Sequence, residues 1–146
     1  MPPPGREPIG LHLTRAARVV GRAFDDALAA AGGSLPVWLV LISLKAQRLP
    51  NQRQIAESIG IQGATLTHHL NAMEADGLVT RRRDPTNRRV HVVELTEAGE
   101  ALFLRLRNAA VAFDRQLREG LNEEELASFS RVLDRLDANV ASQDER

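Results

Sequence analysis

The sequence contains no cysteine in its 146 residues. Disulfide bonds, thiolate metal sites, cysteine nucleophiles and cysteine-based redox sensing are therefore excluded. Aromatic residues are also scarce, since there are four phenylalanines, one tryptophan and no tyrosine. No apolar run reaches the roughly 18 residues of a membrane span, and the first eight residues lack the apolar segment of a secretory signal. We therefore expect a cytoplasmic protein with no membrane partner.

The net charge is zero as well, but the 19 basic and 19 acidic side chains are unevenly distributed. Residues 45–91 carry eight basic and four acidic side chains, whereas residues 92–146 carry seven basic and twelve acidic ones. A basic middle segment is either ordinary surface charge or the electrostatic footprint of an acidic partner such as nucleic acid. Charge alone does not distinguish these two interpretations.

Periodic apolar residues and turn formers predict six helices and one β-hairpin. In chain order we expect a helix from Ile9 to the glycine pair 32–33, a helix capped by Ser34, helices at 52–58 and 62–76, strands at 78–82 and 89–95, a helix capped by Thr96 and a helix capped by Asn122. The predicted fold class is mostly α with a small β-hairpin wing. It is a winged helix-turn-helix over 34–96, with a disordered arm at 1–8 and helical dimerisation regions at 9–33 and 97–146.

The last predicted helix carries a heptad seam. Its apolar residues follow one another in steps of three and four, at Leu126, Phe129, Leu133, Leu136 and Val140. Such spacing is typical of a helix that packs against another helix. Because two long helices lie outside the winged segment, something must bury their apolar stripes, and a second copy of the chain is the simplest partner.

The helix predicted at 62–76 has two different faces. Leu66, Leu70 and Met73 fall at helical spacing and should pack inward. The opposite face carries small or hydrogen-bonding side chains and no acid from 62 to 73. A helix that enters the DNA major groove needs such a face, whereas a solvated face usually carries Glu and Lys. We predict that the helix contacts DNA through Gln62, Gly63, Ala64, Thr65, Thr67, His68 and Asn71.

The predicted hairpin is rich in arginine. Five arginines and one acid surround its turn, namely Arg81, Arg82, Arg83, Arg88, Arg89 and Asp84. A wing that follows the DNA backbone meets phosphates and the negative potential of the minor groove, so these six residues are predicted to form a DNA-binding wing. Asp84 is expected to pair with Arg88 or Arg89 and to stiffen the tip. An acidic protein would suit the same arginines, so the alternative is a winged-helix protein–protein interaction module without DNA binding.

Two segments carry a more specific signal. The run GATLTHHLNAMEADGLV at 63–79 resembles the recognition helix of the MarR family of transcription regulators. The run at 83–99, which contains RDPTNRR and ELTEAG, is similar to that family's wing and to its exit into the fifth helix. The sequence departs from the family at His68, where Arg is common, and at Asn87, where Asp is frequent.

The resemblance implies a homodimer held by the first, fifth and sixth helices, with two recognition helices in successive major grooves of a palindromic operator. It implies a ligand-responsive repressor that binds double-stranded DNA. Thr65, Thr67 and His68 match recognition-helix contact positions of the family, and Arg88 and Arg89 match its wing arginines.

The remaining motifs do not predict an enzyme. No nucleophile elbow, phosphate-binding loop or dinucleotide-binding glycine pattern is present, so no catalytic residue and no cofactor is expected. Four scattered histidines without a cysteine do not predict a metal site. Trp38 is expected in the core. Alternatively, Trp38 lines an effector pocket with His12 and Arg15, a combination that would suit a small aromatic acid.

Overall fold

The computed structural model describes residues 5–141. Its elements are α1 (Ile9–Ala30), α2 (Leu35–Lys45), α3 (Gln52–Ile59), α4 (Gly63–Ala75), β1 (Val79–Arg83), β2 (His91–Leu95), α5 (Glu97–Leu117) and α6 (Glu123–Ala141). The predicted order of helices and strands is confirmed, with ends that differ by one or two residues. The predicted arm at 1–8 lies partly outside the described residues, since 1–4 are not described.

The chain forms two compact units, which divide between Val111 and Ala112 within α5. The first unit contains the hairpin and the helices up to the first part of α5. Its core gathers Leu28, Leu41, Ile55 and Leu106, which are all fully buried. The indole of Trp38 stacks on the ring of Phe103 with 5.7 Å between centroids, so the predicted core position of Trp38 is confirmed.

Short polar side chains explain where the helices begin. Each accepts a hydrogen bond from a backbone N–H in the first turn that has no partner within the helix. The four pairs are Ser34 with Val37, Asn51 with Gln54, Thr96 with Gly99 and Asn122 with Glu125. The capping roles predicted for Ser34, Thr96 and Asn122 are therefore confirmed, and Asn51 adds a fourth cap.

Two glycines turn the chain around α4. Gly60 ends α3 with φ of +79°, and Gly77 follows α4 with φ of +75°. After α4, the N–H of Gly77 donates to the Glu74 carbonyl and the N–H of Leu78 to the Met73 carbonyl. This pair of bonds is a Schellman motif, which needs a residue in the left-handed region. The recognition helix predicted from the sequence therefore stops abruptly, and β1 begins two residues after Gly77.

The hairpin is an antiparallel pair in which Val79 lies opposite Leu95 and Arg83 opposite His91. It is also held to the helices at its base. Asn51 forms a bridge with Val92, and the N–H of Val93 donates to the Pro50 carbonyl at 2.7 Å. Since Asn51 also caps α3, one short segment connects the hairpin to the start of that helix.

The exit from β2 into α5 packs closely against the turn that follows α4. The hydroxyl of Thr96 donates to the Gly77 carbonyl, and the Thr96 N–H donates to the Leu78 carbonyl at 3.1 Å. Gly99 is buried against the same carbonyl, and a Cβ added at Gly99 would overlap the Leu78 oxygen. Packing thus explains why threonine and glycine occupy positions 96 and 99 of the ELTEAG segment.

In the second unit, α6 keeps part of its apolar seam accessible. Leu126, Leu133 and Leu136 are half-buried, whereas Phe129 is 58% and Val140 is 70% exposed.

Along residues 5–141, no single helix is long and apolar enough to cross a membrane. Helices α1 and α2 reach the length and apolar composition of a membrane span only when they are taken together, and the two helices are bent by 74° relative to each other.

We expect Gly99→Ala to destabilise the protein by about 1–3 kcal/mol, because a methyl group inserted into a well-packed site forces neighbouring atoms apart. Urea unfolding followed by Trp38 fluorescence measures this change. Gly63→Ala is the matched control, since no atom lies within 4 Å of a Cβ added there. Equal midpoints for the two variants would show that the packing at Gly99 is not restrictive.

Candidate nucleic-acid interface

The structure places the predicted recognition face of α4 on the surface. Leu66, Leu70 and Met73 are buried, as predicted. Six of the seven predicted contact residues are exposed, namely Gln62, Gly63, Ala64, Thr65, His68 and Asn71. No carboxylate interrupts this face between 62 and 73. A helix surface of this kind can approach base edges and phosphates without repulsion.

Thr67 differs from the other six residues. It is half-buried, and its hydroxyl donates to the Gly63 carbonyl at 2.9 Å while accepting from Gln52 Nε2 at 3.1 Å. Both hydrogen bonds lie within the protein. Thr67 therefore ties the start of α3 to α4, and its role as a DNA contact stays a prediction.

The five wing arginines divide into two groups. Arg82 pairs with Glu94 on the facing strand at 2.9 Å, and Arg81 pairs with Glu74 of α4 at 3.2 Å. Arg83, Arg88 and Arg89 are exposed, and within the described residues none of their guanidinium groups forms an ion pair. Three free positive charges therefore remain at the end of the hairpin, where an anion could neutralise them.

Asp84 does not form the predicted pair with Arg88 or Arg89. Its Oδ1 accepts from the N–H of Thr86 at 2.7 Å, from the Thr86 hydroxyl at 2.6 Å and from the N–H of Asn87 at 3.3 Å. These hydrogen bonds, the one from the Thr86 hydroxyl above all, lower the pKa of the Asp84 carboxyl. The prediction of an ion pair was wrong because an aspartate in a tight turn reaches nearby backbone donors first. Asp84 still stiffens the tip, but through its own turn.

The sequence analysis did not include the first turn of α3 among the candidate site residues, although this turn lies beside the exposed face of α4. Beside the start of α4, an open cleft of about 750 Å³ is lined by Gln52, Arg53, Gln62, Gly63 and Thr65, among others. Gln52 and Arg53 lie in the first turn of α3, next to the recognition face. The available signal was the helix start predicted at residue 52, which places Gln52 and Arg53 in the first turn of α3.

The proposed effector residues are not brought together by a described cavity. Trp38 packs in the core, while His12 and Arg15 are exposed on α1. Arg15 forms an ion pair with Glu7. None of these residues lines the cleft beside α4, and none lines the smaller cavities between α2 and β2 and along α6. The effector pocket stays a prediction.

The histidines do not form a metal centre in the part of the chain that the structure describes. His68 and His69 lie side by side with 5.9 Å between ring centroids. No group of three or more His, Asp or Glu side chains between residues 5 and 141 is arranged to hold a metal ion. The exposed ring of His68 is left as a hydrogen-bonding group on the α4 face.

A helix pair, a third helix packed on it and an antiparallel hairpin define a winged helix-turn-helix protein. Residues 34–91 match the model of the MarR family. The transcriptional repressor CouR bound to a 23-mer DNA duplex is 29% identical, with a TM-score of 0.79 over 89% of this chain and 92% of that one. Residues 34–91 therefore form a MarR-family domain, and the chain as a whole is similar to MarR-family transcription regulators.

Two further solved structures support this assignment. CouR from Rhodococcus jostii RHA1 bound to p-coumaroyl-CoA is 26% identical, with a TM-score of 0.74 over 87% of this chain and 90% of that one. A MarR-family transcriptional regulator from Rhodococcus sp. RHA1 is 27% identical, with a TM-score of 0.73 over 86% and 89%. The similarity therefore extends well beyond the winged module.

Because the Thr86 hydroxyl is the main cause of the lowered pKa of Asp84, Thr86→Ala should raise that pKa towards its ordinary value. The carboxyl carbon of Asp84 reports it in an NMR titration. Arg88→Ala is the control and should leave it nearly unchanged, since Arg88 is not a partner of Asp84. A larger shift in Arg88→Ala than in Thr86→Ala would restore the ion pair predicted from the sequence.

Proposed function

We propose that this protein is a sequence-specific, double-stranded-DNA-binding transcription regulator that acts in the cytoplasm as a homodimer on a palindromic operator. The observation that carries the proposal is the acid-free, exposed face of α4 beside three unpaired wing arginines. We propose further that it is a ligand-responsive repressor. The DNA-bound form of the related repressor CouR supports this assignment.

The two parts of the interface serve different purposes. Thr65 and His68 can donate or accept hydrogen bonds at base edges in the major groove, and Ala64 allows close approach. Arg83, Arg88 and Arg89 supply charge for phosphates or for a narrow minor groove. Base contacts would give the sequence preference, and the wing would give affinity that depends on salt.

The distribution of exposed apolar residues supports a dimer. Over residues 5–141, every large apolar side chain that is exposed lies outside 34–96. These residues are Ile9, Leu11, Leu13, Val19 and Val20 of α1, Leu104, Val111 and Leu117 of α5, Leu121 before α6, and Phe129, Val132 and Val140 of α6. Large apolar patches on a protein surface mark interaction sites. A symmetric dimer would bury them and would present two recognition helices about one DNA turn apart.

The effector is proposed to be a small aromatic acid. CouR binds p-coumaroyl-CoA, which contains an aromatic acyl group. In this chain, His12 and Arg15 could supply positive charge, and Trp38 could supply an aromatic surface. Release of DNA by such an acid, together with quenching of Trp38 fluorescence, would support the pocket. If the acid neither released DNA nor quenched the fluorescence, the pocket would be wrong.

Fluorescence anisotropy tests the function directly. The protein is titrated onto the DNA upstream of its own gene and onto a scrambled duplex, each at several salt concentrations. Tight binding to the first duplex, weak binding to the second and a steep salt dependence are expected. Binding to neither duplex at low salt would instead favour the protein–protein interaction module.

Each unpaired wing arginine should contribute to the salt dependence. In the proposed homodimer each substitution removes one phosphate contact per protomer, so Arg88→Ala and Arg89→Ala are each expected to reduce the slope of log K against log salt by about 1.8. The double variant Arg82→Gln with Glu94→Gln is the control, because it keeps the net charge of the wing and should leave the slope unchanged. Equal slopes in wild type and both single variants would show that Arg88 and Arg89 do not contact phosphate.

A charge on the exposed α6 seam should prevent dimer formation. Phe129→Glu places a carboxylate at a seam position that is 58% exposed in the single chain and apolar in the proposed interface. Sedimentation velocity should show a shift from dimer to monomer. Ala127→Glu, on an exposed position two residues earlier and off the seam, should remain dimeric. A dimeric Phe129→Glu variant would exclude this seam from the interface.

A further inference from the structure

Arg81 differs from the other wing arginines because its side chain lies against α4. The side chain is 18% exposed, compared with 55% for Arg82. Its Nη2 donates to Oδ1 of Asn71 and, at 3.2 Å, to Oε1 of Glu74. Asn71 and Glu74 are three residues apart and therefore lie on the same side of α4. One guanidinium thus bridges two neighbouring turns of the recognition helix.

Glu74 also holds the backbone of the same strand residue. Its Oε2 accepts from the N–H of Arg81 at 3.1 Å, so the two carboxylate oxygens bind the backbone and the side chain of Arg81. The hydrogen bond from the Arg81 side chain is the main reason that the pKa of the Glu74 carboxyl is lowered. Glu74 is therefore fully ionised at neutral pH, and both hydrogen bonds are charge-assisted.

The position of Arg81 within β1 means that these bonds bear on the orientation of the strand relative to α4. Only residues 76–78 separate α4 from β1, and the Schellman motif fixes how the chain leaves the helix. Arg81 is the third residue of β1, beyond that turn. The other attachments hold the base of the hairpin to the start of α3 and to the turn after α4, whereas the bonds of Arg81 hold β1 directly against the recognition helix.

We propose that Arg81 is a positioning residue, which sets the orientation of the wing relative to α4 by bridging Asn71 and Glu74 and makes no phosphate contact. The proposal rests on the DNA-binding function proposed above. It revises the prediction that all five wing arginines contact DNA. Arg81 would act on DNA through the alignment of the recognition helix with the wing.

Salt dependence separates a positioning residue from a phosphate contact. For Arg81→Gln, we expect affinity for the specific operator to fall about tenfold or more, because base contacts lose their alignment. Affinity for the scrambled duplex and the salt slope should remain close to wild type. A phosphate contact, lost from both protomers of the dimer, would instead lower both affinities equally and reduce the slope by about 1.8. That result, or unchanged specific affinity, would overturn the proposal.

For Glu74→Gln, an effect of net charge and loss of the Arg81 bridge predict opposite changes in operator affinity. Removing a negative charge near DNA should strengthen binding if only net charge matters. Loss of the bridge should weaken specific binding about tenfold, as for Arg81→Gln, because one of the two accepting oxygens of Glu74 becomes an NH2 group, which only donates. The control is Glu57→Gln, which removes an exposed acid from α3 and should bind DNA at least as tightly as wild type. Tighter operator binding by Glu74→Gln would refute the proposal.

The double variant and a measurement without DNA complete the test. Arg81→Gln with Glu74→Gln should lose no more specific affinity than either single variant, since both break the same bridge. Hydrogen exchange at the Arg81 amide should accelerate in Glu74→Gln. If wild type binds no duplex, the proposed function fails, whereas unchanged exchange at Arg81 in Glu74→Gln would overturn the bridge by itself.

Discussion

The packing of α5 against the turn after α4 is the constraint on which the winged module depends. Thr96 bonds to the carbonyls of Gly77 and Leu78, and the missing side chain of Gly99 lets the helix approach the Leu78 oxygen. This contact joins the end of the recognition helix, the beginning of β1 and the exit from β2 at one point. The contact fixes the point at which both ends of the wing leave the body of the protein.

Most of the fold follows from local signals in the sequence. The caps Ser34, Thr96 and Asn122 and the buried stripe of Leu66, Leu70 and Met73 required only short-range patterns, and the structure confirms them. The contacts of Asn51 were different. Its bridge to Val92 joins residues 41 positions apart, and hydrophobic periodicity does not encode such a pairing.

The sequence indicated which residues of the candidate site are exposed more reliably than which partners their side chains have. An acid-free face on α4 can be read directly from the sequence, but the partners of the wing arginines depend on which strand faces which helix. Glu74 and Glu94 lie outside the turn, so the sequence could not show that they would neutralise Arg81 and Arg82. Asp84 was assigned the wrong partners because Coulomb attraction was weighed above the backbone donors two and three residues away.

The attachments of the hairpin also close its edges. The outer side of β1 gives its Arg81 N–H to the Glu74 carboxylate, and the outer side of β2 gives its Val93 N–H to the Pro50 carbonyl. A strand with free N–H groups is a template on which another chain can add a strand. Here the middle of each strand is already occupied. The hairpin can therefore project from the protein without acting as a seed for intermolecular β-sheet, and in the proposed dimer the contacts between copies would be helical.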